Sequence, residues 1–375
     1  MKNYKIGIIG YGGFGKFLHY WWDKLENVEI IAISDSRYRG INTEKYRIYT
    51  DWRSLIMADD IDIVSIVTPP SFHAEMAMEA MKAGKYVLLE KPVAITDEDA
   101  LLISKIQEET GMVIAVDHML RYDPIIRVLS DLSQREIFGP LRHAEVSNYA
   151  QDNSLSPEHW FWDEAMSGGI MIEHGVHFFD LINAMTTQKV VEVQGISHHR
   201  NKHQKDQVSS LVKYDGGLIA SHYHAFSGPG FFEKTTIRLI YDLARIEIDG
   251  WVPMAGRVNA LVNNAIREEL KVLPGWKIDS LHHVDHLEDV SRPEGWGGEE
   301  EAIKKQISVY GINYDVNEVL TGSFEIEQTK SEVYGKCLQD MLSDLIAKIE
   351  NPDHEITANL ENAIESLRIA TLASK

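Results

Sequence analysis

With a single cysteine, Cys337, the 375-residue chain has no partner for an internal disulfide, which suits a reducing cytoplasm. Positive charge is scarce. The 37 Lys and Arg residues stand against 57 Asp and Glu, a formal net charge of -20, which argues against nucleic acid or an anionic membrane as partner, because both demand a basic face. No apolar run approaches the roughly 18 residues of a membrane span. The first strand starts by Tyr4, which leaves no room for a signal peptide. Internal repeats and low-complexity tracts are missing as well. These absences point to a cytoplasmic protein long enough for two domains.

Buried-strand patterns occur at 4–9, 28–33, 61–67, 85–89 and 112–116, with helical patterns between them at about 13–26, 52–58, 71–83 and 97–110. Strands alternating with helices at this spacing predict an α/β fold with a doubly wound parallel sheet. After about residue 121 the pattern changes. The segments 141–149, 190–197, 207–214, 217–224, 235–241 and 244–248 read as successive strands, some joined by short turns such as Asp215-Gly216-Gly217. They predict an α+β second domain, 122–375 after a first of 1–121, built on a large, mostly antiparallel sheet. Helices are expected at about 123–137, 175–186, 331–350 and 357–373, the last able to pack back on the first domain. The acidic segment 280–310 reads as a loop or insertion, with His282, His283 and His286 in solvent.

Gly10-Tyr11-Gly12-Gly13-Phe14-Gly15 follows the first strand and opens a helix. In that context G-x-G-x-x-G is a dinucleotide site: the glycines allow a tight turn, close backbone approach and close helix packing, and the helix N-terminus offers N–H groups to a pyrophosphate. Asp35, 20 residues past Gly15 at the end of the second strand, is placed for the adenosine ribose hydroxyls. It repels a 2′-phosphate, whereas Arg37, beyond Ser36, is able to receive one; NAD is expected, with NADP as the second option. Thr68-Pro69-Pro70-Ser71-Phe72-His73 has two readings. It is a helix start with Ser71 as N-cap, or part of the cofactor crevice through Thr68, Pro69 and His73.

Glu90-Lys91-Pro92 sits at a strand C-terminus, where a crevice lysine, its proton affinity lowered by burial, donates to a substrate oxygen, with Glu90 orienting it or offsetting its charge. The Lys–Pro bond is a candidate for cis. The second constellation runs from Gly168 to Asp180. If a helix starts near Glu173, then Glu173, His177 and Asp180 share a face, and His177 suits the acceptor of a hydroxyl proton with a carboxylate setting its tautomer. Glu173, His174 and His177 are also metal-ligand types, but ligands on a helix favour i, i+4 spacing and no metal is expected.

Together with Arg121-Tyr122-Asp123-Pro124, these motifs closely resemble the Gfo/Idh/MocA family of NAD(P)-dependent oxidoreductases over most of the chain. The resemblance implies a Rossmann domain followed by a large, mostly antiparallel open sheet. Substrate would sit between that sheet and the nicotinamide, and homodimers or homotetramers would form through the sheet. It implies that Lys91 and His177 flank the reacting hydroxyl and that sugars or cyclic polyols are the substrates. One departure stands out: Glu173, followed by His174, replaces the aspartate of many inositol dehydrogenases. Around this centre, Arg121, Tyr149, Trp160, Trp162, Asp163 and His174 are candidate substrate contacts, and His222 and His224 also stand on strands that can face the pocket. The expected activity is a dehydrogenase or ketoreductase. Alternatives are internal redox cycling on tightly bound NAD, giving glycosidase or epimerase chemistry, and a sugar-sensing regulator, which would have no need of a proton-transfer pair.

Overall fold

The computed structural model describes residues 2–36, 45–283 and 306–375. Six parallel strands form the first sheet: β1 Tyr4–Ile9, β2 Val28–Ser34, β3 Arg47–Tyr49, β4 Ile63–Ile66, β5 Tyr86–Leu89 and β6 Ile114–Val116, in the order β3-β2-β1-β4-β5-β6. Helices α1 Gly13–Trp22, α2 Trp52–Ile56, α3 His73–Lys82 and α4 Asp97–Thr110 connect them. The central strands are mostly apolar because helices cover both faces, and Ile6, Ile8, Ile63, Val64 and Ile66 are fully buried. The strand order reverses between β1 and β4, which opens a crevice at their C-terminal ends.

The second sheet follows α5 Pro124–Gln134, which is capped by Asp123 accepting from the Ile125 and Ile126 amides. Its strands are β7 Leu141–Gln151, β8 Val190–Asn201, β9 Gln204–Tyr214, β10 Ile219–Gly228, β11 Lys234–Tyr241, β12 Ala244–Asp249, β13 Ala255–Val262, β14 Lys277–His283 and β17 Glu318–Glu325. Their order is β14-β17-β13-β12-β11-β7-β10-β9-β8, antiparallel except for β7 with β10. Between them lie α6 Glu164–Ser167, α7 Val176–Ala184 and α8 Asn264–Glu269. A two-stranded ribbon pairs β15 Gln306–Val309 with β16 Ile312–Asp315. This is the parallel sheet plus mostly antiparallel sheet that the sequence predicts.

The 280–310 reading needs correction. Residues 277–283 continue the large sheet as β14, with His282 and His283 exposed on a strand rather than in a loop, and β15 begins at 306. Residues 284–305, including His286, lie outside the described residues. Ser71 is not an N-cap: a short 3₁₀ turn, Pro70–Phe72, precedes α3, and the Ser71 hydroxyl faces the Met166 sulfur at 3.4 Å.

The last two helices, α9 Lys330–Glu350 and α10 Leu360–Ala373, return to the first sheet. α9 lies against α1, where the Trp22 indole donates to the Leu338 carbonyl at 3.1 Å and the Gln339 amide to the Trp21 carbonyl at 2.8 Å. Gly335 makes the approach: a Cβ there would stand 2.0 Å from the Trp21 ring. α10 packs on both α4 and α7. No helix among the described residues is long and apolar enough to cross a membrane.

Candidate active site

A cleft of about 1110 Å³ runs from the C-terminal ends of the parallel strands to the inner face of the large sheet. That exceeds the roughly 300–1,000 Å³ of a drug-sized pocket and leaves room for a dinucleotide and a second small molecule. Gly10 turns the chain out of β1 at φ +90°, where a Cβ would stand 2.2 Å from the Val67 carbonyl oxygen. A Cβ on Gly15 would stand 2.3 Å from the Gly10 oxygen, so α1 packs only as glycine allows. Beyond Gly12 and Gly13 there is open space, a cradle in which backbone N–H groups at the start of the ten-residue α1 face the cleft. Asp35 accepts the Tyr11 N–H at 2.9 Å, and Asp35, Ser36, Phe14, Thr68 and Pro69 line the same end. Arg37 lies outside the described residues. These donors, the acid and the open cradle fit an adenine dinucleotide.

His73 does not line the cleft. It is buried, with Nδ1 2.7 Å from the Pro92 carbonyl and Nε2 2.8 Å from that of Thr68. Two carbonyl partners suit an imidazolium, while burial works against the charge and pushes its pKa down to about 4. It ties the Thr68 turn to Pro92, whose peptide bond with Lys91 is cis.

Lys91 Nζ donates to both the backbone carbonyl and Oε1 of Glu173, at 2.8 and 2.9 Å. Burial by itself lowers the lysine pKa, but the Glu173 and Glu90 charges outweigh it and the net shift is upward. The expectation of a lysine depressed by burial is therefore corrected: Lys91 is an ammonium ion. Glu173 serves Lys91 and not His177, since Met171–Gly175 form a π-helical turn that changes the phase before α7 begins at Val176. Asp180 is also turned from His177, and takes a two-point ion pair from Arg121 at 2.7 and 2.8 Å. His177 lines the cleft beside the Trp251 ring, 5.3 Å away, and its buried Nδ1 has no partner among the described residues. Burial and then the Lys91 charge push its pKa well down, so the imidazole is neutral. Burial does the same to His174, to about 3.

Several candidate substrate residues stand elsewhere. Arg121 is absent from the cleft because Asp180 holds it. Tyr149 is on the outer face of β7 against Tyr223, one residue out of phase with Asn148, which does line the cleft. The Trp162 indole donates to Leu155 and its ring meets the Arg200 guanidinium, while Asp163 caps α6. His222 and His224 are buried behind the lining, His224 with its ring 5.5 Å from that of His174. Trp160 and His174 do line the cleft, with Phe161, Phe226 and Trp251 completing an aromatic wall. Sequence reasoning missed Asp117, Asn148, Thr235, Trp251 and Tyr334. The inward alternation of β7 could have found Asn148, whereas Tyr334 comes from a helix near the C-terminus that no local pattern links to the site.

Residues 4–118 match the family model described as "Oxidoreductase family, NAD-binding Rossmann fold", and residues 126–247 match the "GFO/IDH/MocA C-terminal domain". A "1-carboxy-3-chloro-3,4-dihydroxycyclo hexa-1,5-diene dehydrogenase" of Comamonas testosteroni is 26% identical over 314 residues, 76% of each chain. A "Glycosyl hydrolase family 109 protein" of Porphyromonas gingivalis is 23% identical over 348 residues, 80% of this chain and 74% of its own. In fold, the chain is similar to the crystal structure of GenD2 from gentamicin A biosynthesis in complex with NAD, with a TM-score of 0.72 at 18% identity, covering 100% of this chain and 94% of that one.

Proposed function

The chain belongs to the Gfo/Idh/MocA family of NAD-binding oxidoreductases, and from that premise we propose that it moves hydride between NAD and a secondary alcohol of a sugar, glycoside or cyclitol. The observation that carries this reading is the Lys91–Glu173 pair beside a neutral His177, in one cleft with the glycine cradle. Bound NAD supplies the hydride acceptor. Lys91, held by two contacts, presents its ammonium to the substrate oxygen and stabilises charge there as the hydroxyl proton leaves. His177, kept neutral, takes that proton. The aromatic wall of Trp160, Phe161, Phe226 and Trp251 stacks on the apolar face of a ring and excludes water. Asn148, whose Nδ2 donates to Thr235 at 2.7 Å, has a buried Oδ1 with no partner among the described residues, an acceptor for a substrate hydroxyl. The same machinery serves ketone reduction. The outer face of the large sheet, with Ile196, Leu211 and Ile219 exposed, is the proposed contact between copies.

A second reading, oxidation followed by re-reduction on one retained NAD, is favoured by the likeness to the glycosyl hydrolase family 109 protein. Turnover measured with and without added NAD separates the two. Dependence on added NAD supports net dehydrogenation, and turnover without it, on protein that retains NAD, supports the redox-neutral cycle.

A further inference from the structure

Glu90 and Asp117 follow neighbouring parallel strands, β5 and β6, and both line the cleft. Leu89 pairs with Val116, so the next residues stand side by side, and their carboxyl groups hydrogen-bond to each other. Two carboxylates are acceptors only and cannot make that bond; one proton lies between them. Burial pushes both groups up, Glu90 well above the usual carboxylate range and Asp117 to about 6, as a shared proton requires. Apart from the bond to Glu90, Asp117 Oδ1 is buried without a partner among the described residues. The groups facing the pair are Lys91 next in the chain, Glu173 across the cleft, and Tyr334 and Cys337 on α9. Lys91 is the cation among them, and Glu173 already pairs with it.

In a doubly wound sheet the two halves of a dinucleotide lie on either side of the switch point. Asp35 follows β2, on the adenosine side, so the ends of β5 and β6 belong to the nicotinamide side. We propose that the Glu90–Asp117 pair is a redox-linked proton site: it keeps its proton beside the reduced, uncharged nicotinamide and gives it up beside the oxidised, positively charged ring. This rests on the dehydrogenase reading. Alcohol oxidation removes one hydride from carbon and one proton from oxygen. As the ring's positive charge disappears, the pair regains its affinity for one proton, so the proton that His177 takes from the hydroxyl passes on to the pair and His177 returns to its neutral form. Charge is conserved there: a positive ring with an unprotonated pair becomes a neutral ring with a protonated pair.

The test is isothermal titration of nucleotide-free full-length protein with NAD and with NADH at pH 7, in two buffers of different ionisation enthalpy, which counts protons released on binding. NAD should release up to about one proton more than NADH. In Asp117→Asn and, separately, in Glu90→Gln that difference should fall close to zero, with folding checked by circular dichroism. Equal proton counts for the two nucleotides on the native protein overturn the proposal, even if neither variant folds, and so does a difference that persists in both variants. Failure of either nucleotide to bind overturns the dehydrogenase reading and the proposal with it.

Discussion

The Nζ of Lys91 contacts Glu173 twice, at its backbone oxygen and at its carboxylate, across 82 positions of sequence. Lys91 follows a strand of the parallel sheet, and Glu173 lies in the π-helical turn before α7. The two contacts fix the ammonium in direction as well as distance. A buried ion pair is weak evidence for stability, because desolvation of both ions offsets much of their attraction. Its value here is positional, and its removal should be read in the chemistry.

Glu173→Gln tests the electrostatic half of that relationship. Gln keeps an acceptor for Lys91 but removes the larger of the charges that hold the lysine pKa above its ordinary value, so burial weighs more heavily against the remaining Glu90 charge. Lysine is active as the ammonium ion, so its folded pKa sets where activity is lost as pH rises. The alkaline limb of the kcat/KM profile should therefore move to lower pH in Glu173→Gln, with kcat/KM at pH 7 reduced by about 10- to 100-fold. An unmoved alkaline limb would show that Glu173 does not set the charge of Lys91.

Asp35→Asn keeps the acceptor for the Tyr11 N–H and removes the negative charge from the adenosine end. The ratio of kcat/KM for NADP over NAD should rise on the order of 10-fold, the size of one solvent-screened charge interaction. An unchanged ratio counts against contact between Asp35 and the ribose.

Substrate charge should matter. Among the described residues lining the cleft the lysines and arginines are Lys16, at the cofactor end, and Lys91, which is paired with Glu173, while Glu233 adds an acid among the substrate-end residues. An anion buried there lacks a cation to replace its water. Phosphorylated or carboxylated counterparts of an accepted neutral sugar should lose about 100-fold in kcat/KM. Equal use of neutral and carboxylated rings would contradict this account.

Gly335→Ala separates packing from propensity. In a helix that change ordinarily stabilises by about 1 kcal/mol. Here the added methyl would meet the rigid Trp21 ring, and the cost of overpacking, about 1–3 kcal/mol, should prevail. Urea denaturation should show a lowered midpoint, and a raised one would mean that α9 does not press on α1 as described.

Much of this was legible in the sequence because the signals were local. The glycine run, the strand ends at Asp35 and Glu90, and the continuous apolar strands place the parallel sheet and the cofactor end of the cleft. The substrate end was harder to read. A strand read without its pairing partners leaves open which face is buried, and so the sequence points to Tyr149 where Asn148 faces inward. The helix expected from Glu173 failed because a π-turn shifts phase without a compositional mark. Arg121 and Asp180 both looked chemical, yet they satisfy each other. β13 and β17 went unread although β17 alternates regularly between buried and less buried residues, and their pairing becomes visible only in the assembled sheet. Asp117 gains its meaning only from Glu90 on the next strand.

The most direct test of the central claim is absorbance at 340 nm with added NAD across neutral sugars, glycosides and cyclitols, run in parallel on the native protein and on Lys91→Met. The account predicts NADH formation with one class of substrate on the native protein. It also predicts a loss of at least about 1,000-fold in Lys91→Met, with NAD affinity kept within a few-fold. Turnover retained in Lys91→Met would contradict the role of Lys91, and substrate consumed by the native protein without net NADH would contradict net dehydrogenation.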